Sequence, residues 1–256
     1  MARTAWASCS TGGLPFRKAG ATHGPALRTK IYSDSAGVQQ AQGFAFDVST
    51  PASSAAGWIS ETTVQSVLWN LNASTGFAPI HKAMTGLAST PAVTSIHAFA
   101  AAFQAVASAT DISALNSLLA AQGITPPSDA FAANEVNDGG LGAFALPLYT
   151  TVSVGTPQQV CVTNQADPNR NNNKLGTHAY LKLAVSQARN YTVSISGPAT
   201  SDPDVAVYQR RIVGGAWNAK QGTESATFPL AVGPAVLVIN DYEESSANTC
   251  FTVTVN

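Results

Sequence analysis

The chain carries four histidines, His23, His81, His97 and His178, and no two of them lie four positions apart. A helix brings residues i and i+4 onto one face, so the His-Glu-x-x-His arrangement that holds zinc and activates water is missing from this sequence. Glu61 is the carboxylate nearest to a catalytic setting, and its ordinary role would be at the first turn of a helix. His81 and His97 fall on separate predicted helices. A diverged hydrolase built from Glu61 with either of them is conceivable, although nothing in the spacing requires it. Gly-x-Ser-x-Gly, Gly-x-Gly-x-x-Gly and Walker loops are absent, which removes the usual serine-hydrolase and nucleotide signatures. Asp167-Pro-Asn-Arg-Asn-Asn-Asn173 alternates oxygen ligands as a calcium loop does. Position six is not glycine and position twelve is His178, so it is not an EF-hand; Asp and Asn also stabilise tight turns with no metal. Trp58, Trp69, Trp217, Tyr208 and Tyr242 could stack on a sugar. Trp217 follows Gly214-Gly215 in a predicted loop and is the candidate ligand platform.

The elements that must position these residues fall into two kinds. Residues 1–57 have no sustained period and read as an irregular arm. Residues 58–123 carry helical patterning. Val64, Val67, Leu68 and Leu71 form one apolar stripe, and Ser60 is a suitable N-cap. A second helix is expected from Pro79, a third from Pro91 and a fourth capped by Asp111, ending before Gly123 and Pro126-Pro127. Residues 124–145 read as a linker or a surface meander. From 146 to 256 the period changes to two. Tyr191–Ser196, Asp204–Tyr208, Ala235–Ile239 and Cys250–Val255 are strand-like, with turn residues between them. The expected fold class is therefore α+β with two domains: a small helical bundle preceded by an arm, then an antiparallel, jelly-roll-like β-sandwich.

Composition bounds the function. Charged residues make up 11 % of the chain, against roughly 25 % in ordinary soluble proteins. Six basic and seven acidic residues precede position 146, and seven of each follow it. Neither half is basic, which argues against nucleic-acid partners and against electrostatic membrane docking. The apolar stretches fall short of the roughly 20 residues that span a bilayer. Met1 to Cys9 lacks the apolar core of roughly 7–15 residues that a signal peptide needs. The rest of the chain nevertheless has the low charge of an exported protein, extracellular or periplasmic. The expectation is that Met1 is not the natural start and that the chain is the C-terminal part of a longer precursor. Cys161 opens the β region and Cys250 begins its last strand, so the two are expected to form a disulfide. It would close a loop of about 90 residues, worth roughly 4–5 kcal/mol in the chain-entropy picture. Cys9 is left over, and in an exported protein an odd cysteine implies a partner elsewhere.

Two stretches resemble known families. Cys161-Val-Thr-Asn, Tyr191-Thr-Val-Ser-Ile, Ser201-Asp-Pro-Asp-Val-Ala-Val-Tyr208 and Cys250-Phe-Thr-Val-Thr-Val255 together resemble the bacterial pre-peptidase C-terminal domain, with Asp202, Asp204 and Tyr208 on its signature. Some members of that family hold calcium, which implies a Ca²⁺ site from Asp167, Asn169, Asp202 and Asp204. Gly57-Trp-Ile-Ser-Glu61 with Val64-Gln-Ser-Val-Leu-Trp-Asn-Leu71 resembles a stretch that follows the zinc site in some secreted bacterial metallopeptidase-like proteins. The resemblance implies a Zn²⁺-binding helix only if a further segment precedes this chain. The functional expectation is a non-catalytic C-terminal portion of such a protein, whose sandwich serves substrate or surface binding, or secretion. The alternative is a complete, non-enzymatic extracellular protein that binds carbohydrate or protein.

Overall fold

The computed structural model describes residues 31–34, 44–168, 172–218 and 221–256. Cys9, His23 and Asn169 lie outside the described residues. Within the arm, strands β1 (Ile31–Asp34) and β2 (Phe44–Asp47) pair antiparallel. The arm was expected to build no sheet, and it contributes this one ladder.

The helical region follows. Helix α1 (Glu61–Thr75) starts where expected: the Thr63 N–H donates to Ser60 Oγ at 3.3 Å, and Glu61 occupies the first turn. Its stripe of Val64, Val67, Leu68 and Leu71 is fully buried, which is what drives a helix of modest intrinsic propensity to form. The next three helices begin elsewhere than the sequence suggests. Helix α2 (Phe77–Gly86) starts two residues ahead of Pro79. That remains compatible with proline, because first-turn N–H groups have no intrahelical acceptor. Helix α3 (Ile96–Gln104) starts after Pro91 and is capped by Ser95, whose Oγ accepts from the Ala98 N–H at 3.2 Å. Helix α4 (Ala109–Ala120) is capped by Ser108 rather than Asp111. Ser108 Oγ accepts from the Asp111 N–H at 3.2 Å and donates to Asp111 Oδ2 at 2.8 Å, a reciprocal cap that places the acid in the first turn. In α3 and α4 a serine competes successfully, because its side-chain oxygen satisfies a free N–H, whereas α2 starts after Gly76 with no side-chain cap. At the far end of α4, Gly123 has a positive φ of 71°. The Ile124 N–H reaches the Leu119 carbonyl and the Gly123 N–H that of Ala120, both at 3.0 Å. This six-to-one closure buries Ile124 and turns the chain out of the bundle.

The C-terminal region is a two-sheet sandwich. One sheet has the order β10 (Ile212–Ala216), β9 (Pro203–Tyr208), β12 (Gly233–Asp241), β7 (His178–Val185), β5 (Tyr149–Val152). The other has the order β11 (Thr223–Leu230), β8 (Arg189–Ser196), β13 (Thr249–Val255), β6 (Gln158–Val162). All pairings are antiparallel except β5 with β7. Alternate residues point inward and form one core, with Leu181, Leu183, Val193, Ile195, Leu237, Ile239, Phe251 and Val253 among its members. Cys161 and Cys250 face each other in the register of β6 with β13 and form the expected disulfide.

The two regions share a second core. Tyr180 of β7 with Val236 and Val238 of β12 point outward from the five-stranded sheet, into a cluster with Val64, Leu71, Phe99, Phe103 and Leu115 of the helices. The molecule thus has three layers: helices, five-stranded sheet, four-stranded sheet. The segment from 124 to 145 runs along this seam. It places Ile124 and Ala132 in the shared core and forms a short strand, β3 (Val136–Asn137), paired with β4 (Leu146–Pro147). Gly139 and Gly176 touch backbone to backbone where the segment crosses the sandwich, leaving no space for a Cβ on either.

Candidate functional site

The three histidine and carboxylate candidates of the helical region do not assemble into a catalytic unit. Glu61 sits half-buried at the N-terminus of α1. His81 lies on the exposed side of α2 with its ring edge-on to Phe77, centroids 5.5 Å apart. His97 is buried on α3, with its ring 5.7 Å from that of Trp58 and its Nε2 2.9 Å from Glu135 Oε1. Glu135 comes from the seam segment, so this contact ties α3 to the connection between the regions. Sequence reading did not find that partner, because the 37 intervening residues carry no pattern that marks the pair.

Of the acidic candidates of the sandwich, Asp202 and Asp204 lie close together, with Asp241 and Glu224 beside them. Asp202, Asp204, Asp241 and Glu224 are all buried near one edge of the two sheets. Asp241 Oδ1 accepts from the Asp202 N–H at 2.9 Å, and Asp204 Oδ2 from Asn240 Nδ2 at 3.4 Å. Burial raises the Asp204 carboxyl to about 6, with Asp202, Glu224 and Asp241 adding repulsion and the Asn240 bond opposing the shift. Asp167 takes part in a backbone bridge with Asn173 that closes the Asn-rich loop. Among the described residues, no three histidine, cysteine, aspartate or glutamate side chains are grouped to hold a metal ion. A small pocket lies beside this group, lined by Asn164, His178, Asn240, Asp241, Glu244 and Ser245. Burial holds the His178 imidazole below its ordinary value, and Thr177 Oγ1 lies 2.8 Å from its Nδ1.

Trp217 is the most developed of the sequence candidates. It follows the edge strand β10, and 59 % of its surface is exposed. The backbone beneath it is built from two glycines for two different reasons. A Cβ on Gly214 would crowd the ring of Phe228, and one on Gly215 would collide with the Trp217 indole itself. The indole therefore lies across Gly215, on the opposite side of β10 from Phe228. The loop that carries it is fixed from below. Buried Glu224 accepts from the Asn218 N–H at 2.9 Å and from Asn218 Nδ2 at 3.1 and 3.2 Å, as well as from the Ser225 N–H at 2.8 Å. A large aromatic held rigidly at a surface loses little freedom on binding, and that is what makes it an effective contact. The other aromatic candidates divide. Trp58 is buried, Tyr208 packs against the helical core, and Tyr242 is exposed. Asn218 and Glu224, which set the Trp217 loop, were not singled out in the sequence; Glu224 between Thr223 and Ser225 is the signal that could have found one of them.

No helix among the described residues is long and apolar enough to cross a membrane. No family model matches the sequence, and no curated protein matches it. Several solved structures are similar to part of the chain. One is the pre-peptidase C-terminal domain of a collagenase from Bacillus anthracis, 11 % identical, covering 42 % of this chain and 94 % of that one at a TM-score of 0.33. Another is CorA, a surface-associated copper-binding protein from Methylomicrobium album BG8, 7 % identical, covering 42 % and 96 % at a TM-score of 0.33. A third is PliG from Aeromonas hydrophila, a periplasmic inhibitor of g-type lysozyme, 12 % identical, covering 42 % and 96 % at a TM-score of 0.28.

Proposed function

We propose that this chain is a non-catalytic portion of an exported protein, and that its sandwich is an accessory module that holds a surface or a substrate. The observation that carries this reading is Trp217, an exposed indole laid over Gly215 and fixed through Asn218 and Glu224. The Cys161–Cys250 disulfide supports export, because such bonds persist in oxidising compartments. The activity that the module serves would be a zinc peptidase carried by a segment ahead of this chain, an inference from the Gly57–Leu71 resemblance alone. The rival reading is an independent extracellular binding protein. The reading frame ahead of the Met1 codon separates the two. A frame encoding a His-Glu-x-x-His helix supports the first; a stop codon there supports the second. Binding itself is tested by retention of the protein on insoluble polysaccharides and on gelatin. Trp217→Ala should weaken the retained interaction about 30-fold, the loss expected for an anchoring aromatic. Equal retention of the variant would remove Trp217 from the function.

A calcium ion held with Asp167, Asn169, Asp202 and Asp204 is a separate proposal; its support is the repulsion between Asp202 and Asp204, which a divalent cation would relieve. It predicts a higher melting temperature in millimolar calcium that Asp202→Asn abolishes. Melting unaffected by calcium would dispose of it.

A further inference from the structure

Among the described residues no helix covers the outer face of the four-stranded sheet, and its side chains form ranks of hydroxyls. The antiparallel register aligns Thr223, Ser196, Thr252 and Gln159 in one rank, and Ser225, Ser194 and Thr254 in the next. Thr227 and Thr192 form a third. Ranks two residues apart recur about every 7 Å, and neighbours within a rank stand about 5 Å apart. Thr192 and Thr227 share a hydrogen bond at 2.9 Å, and Ser194 and Ser225 share one at 3.1 Å. Each hydroxyl has one donor and two acceptor positions, so these pairs keep capacity for a ligand. A shallow groove crosses the first two ranks, lined by Ser194, Ser196, Thr223, Ser225, Thr252 and Thr254. Asn218, next to Trp217, is bonded to Glu224, the residue between Thr223 and Ser225, but the Trp217 indole lies over Gly215, on the opposite side of β10 from Phe228 and away from this face.

The chemistry of this face selects its occupant. No residue of the three ranks is charged, so phosphate backbones and anionic polymers find no counter-charge. The ranks carry no aromatic residue and no aliphatic group larger than a threonine methyl, so the apolar centre of a protein interface is missing. A face without basic or large apolar residues does not hold a lipid surface. A neutral polysaccharide fits each property. Its hydroxyls exchange donor and acceptor roles with serine and threonine, and it carries no charge that the face would have to match. We propose that the outer face of β11, β8, β13 and β6 binds a chain of neutral polysaccharide. This rests on the accessory-module reading and adds to it the surface and the ligand class.

The test is affinity electrophoresis of the full chain in gels containing hydroxyethylcellulose, glucomannan or dextran, with polygalacturonate as the anionic control and retention on gelatin measured in parallel. Two face variants are compared with Trp217→Ala. Thr223→Lys/Ser225→Lys adds charge and bulk on an edge strand, where lysine is well tolerated. Ser194→Ala/Ser225→Ala removes hydroxyls without adding bulk, and it keeps the test decisive if the first variant fails to fold. The expected result is retardation by at least one neutral polymer and none by polygalacturonate, with binding weakened at least about tenfold by either face variant. Retardation weakened by Trp217→Ala but unchanged in the face variants overturns the face proposal and leaves the module reading standing. Retention on gelatin with no retardation by any neutral polymer does the same. Failure to bind any of these materials overturns both.

Discussion

Asp204 is a buried carboxyl whose environment favours its neutral form, and this sets a pH dependence of unusual sign. Its pKa rises from 3.8 in the unfolded chain to about 6 in the fold, chiefly through burial and then through Asp202, Glu224 and Asp241. Between those values the folded protein holds a proton that the unfolded chain has released. Its contribution to stability is therefore fully present below pH 4 and lost as pH rises towards 6. Asp204→Asn should remove this slope and raise the melting temperature at pH 7 by about 2–4 °C. Thermal melts at pH 4.5 and pH 7 check it, and a variant with the wild-type pH profile would refute the assignment. Gly215 is a second residue-scale determinant. Gly215→Ala should displace the Trp217 indole and change its fluorescence while leaving the far-ultraviolet spectrum intact. The same steric argument explains why the Gly214-Gly215 pair precedes an exposed tryptophan, a link that was legible in the sequence only as a loop signal.

At the scale of elements, the seam between helices and sandwich depends on a few close contacts. The Val93 N–H, in the loop ahead of α3, donates to Tyr149 Oη of β5 at 2.6 Å. Burial pushes that hydroxyl far above the usual tyrosine range, so it stays protonated at all ordinary pH values. Tyr149→Phe leaves the amide without its acceptor and should cost about 1–3 kcal/mol in urea unfolding. Gly176→Ala forces a methyl against the Gly139 backbone and should cost about 1–3 kcal/mol by the same measurement. The helices themselves show how far local signals reach. The stripe of α1 and its Ser60 cap were readable because a 3.6-residue period and a serine before a glutamate are both local. The starts of α2, α3 and α4 were misplaced because proline and aspartate were given priority over Gly76, Ser95 and Ser108. Both residue types are acceptable inside a first turn as well as before it, so their presence does not fix the boundary.

For the whole molecule, the shared core makes helices and sandwich one cooperative structure among the described residues. Calorimetry of the purified protein should show a single transition, whereas two separated transitions would show that the seam contributes little. Removing the disulfide with Cys161→Ala/Cys250→Ala should lower unfolding free energy by about 2–5 kcal/mol, measured by urea titration. The loop it closes spans 89 positions and includes every strand from β7 to β12. Its loss therefore loosens the whole sandwich rather than one hairpin.

By itself the sequence determined the two kinds of element, several of the strands and one strand neighbour. Alternation over Tyr191–Ser196 and Cys250–Val255 writes half-buried strands, and two cysteines at either end of the β region imply neighbouring strands. These readings hold because periodicity and strand ends are encoded within a few residues. Tertiary structure alone decided which faces meet. The apolar run Ala235-Val-Leu-Val-Ile239 does contain the information that β12 is buried on both sides, but the run does not say what covers the second face. Nor does the sequence show that Glu135 reaches His97, that Asp241 and Glu224 join Asp202 and Asp204, or that nine hydroxyls and amides from four strands share one surface. Each of these depends on register and layer order, which are set by the summed burial of distant residues and have no local signature.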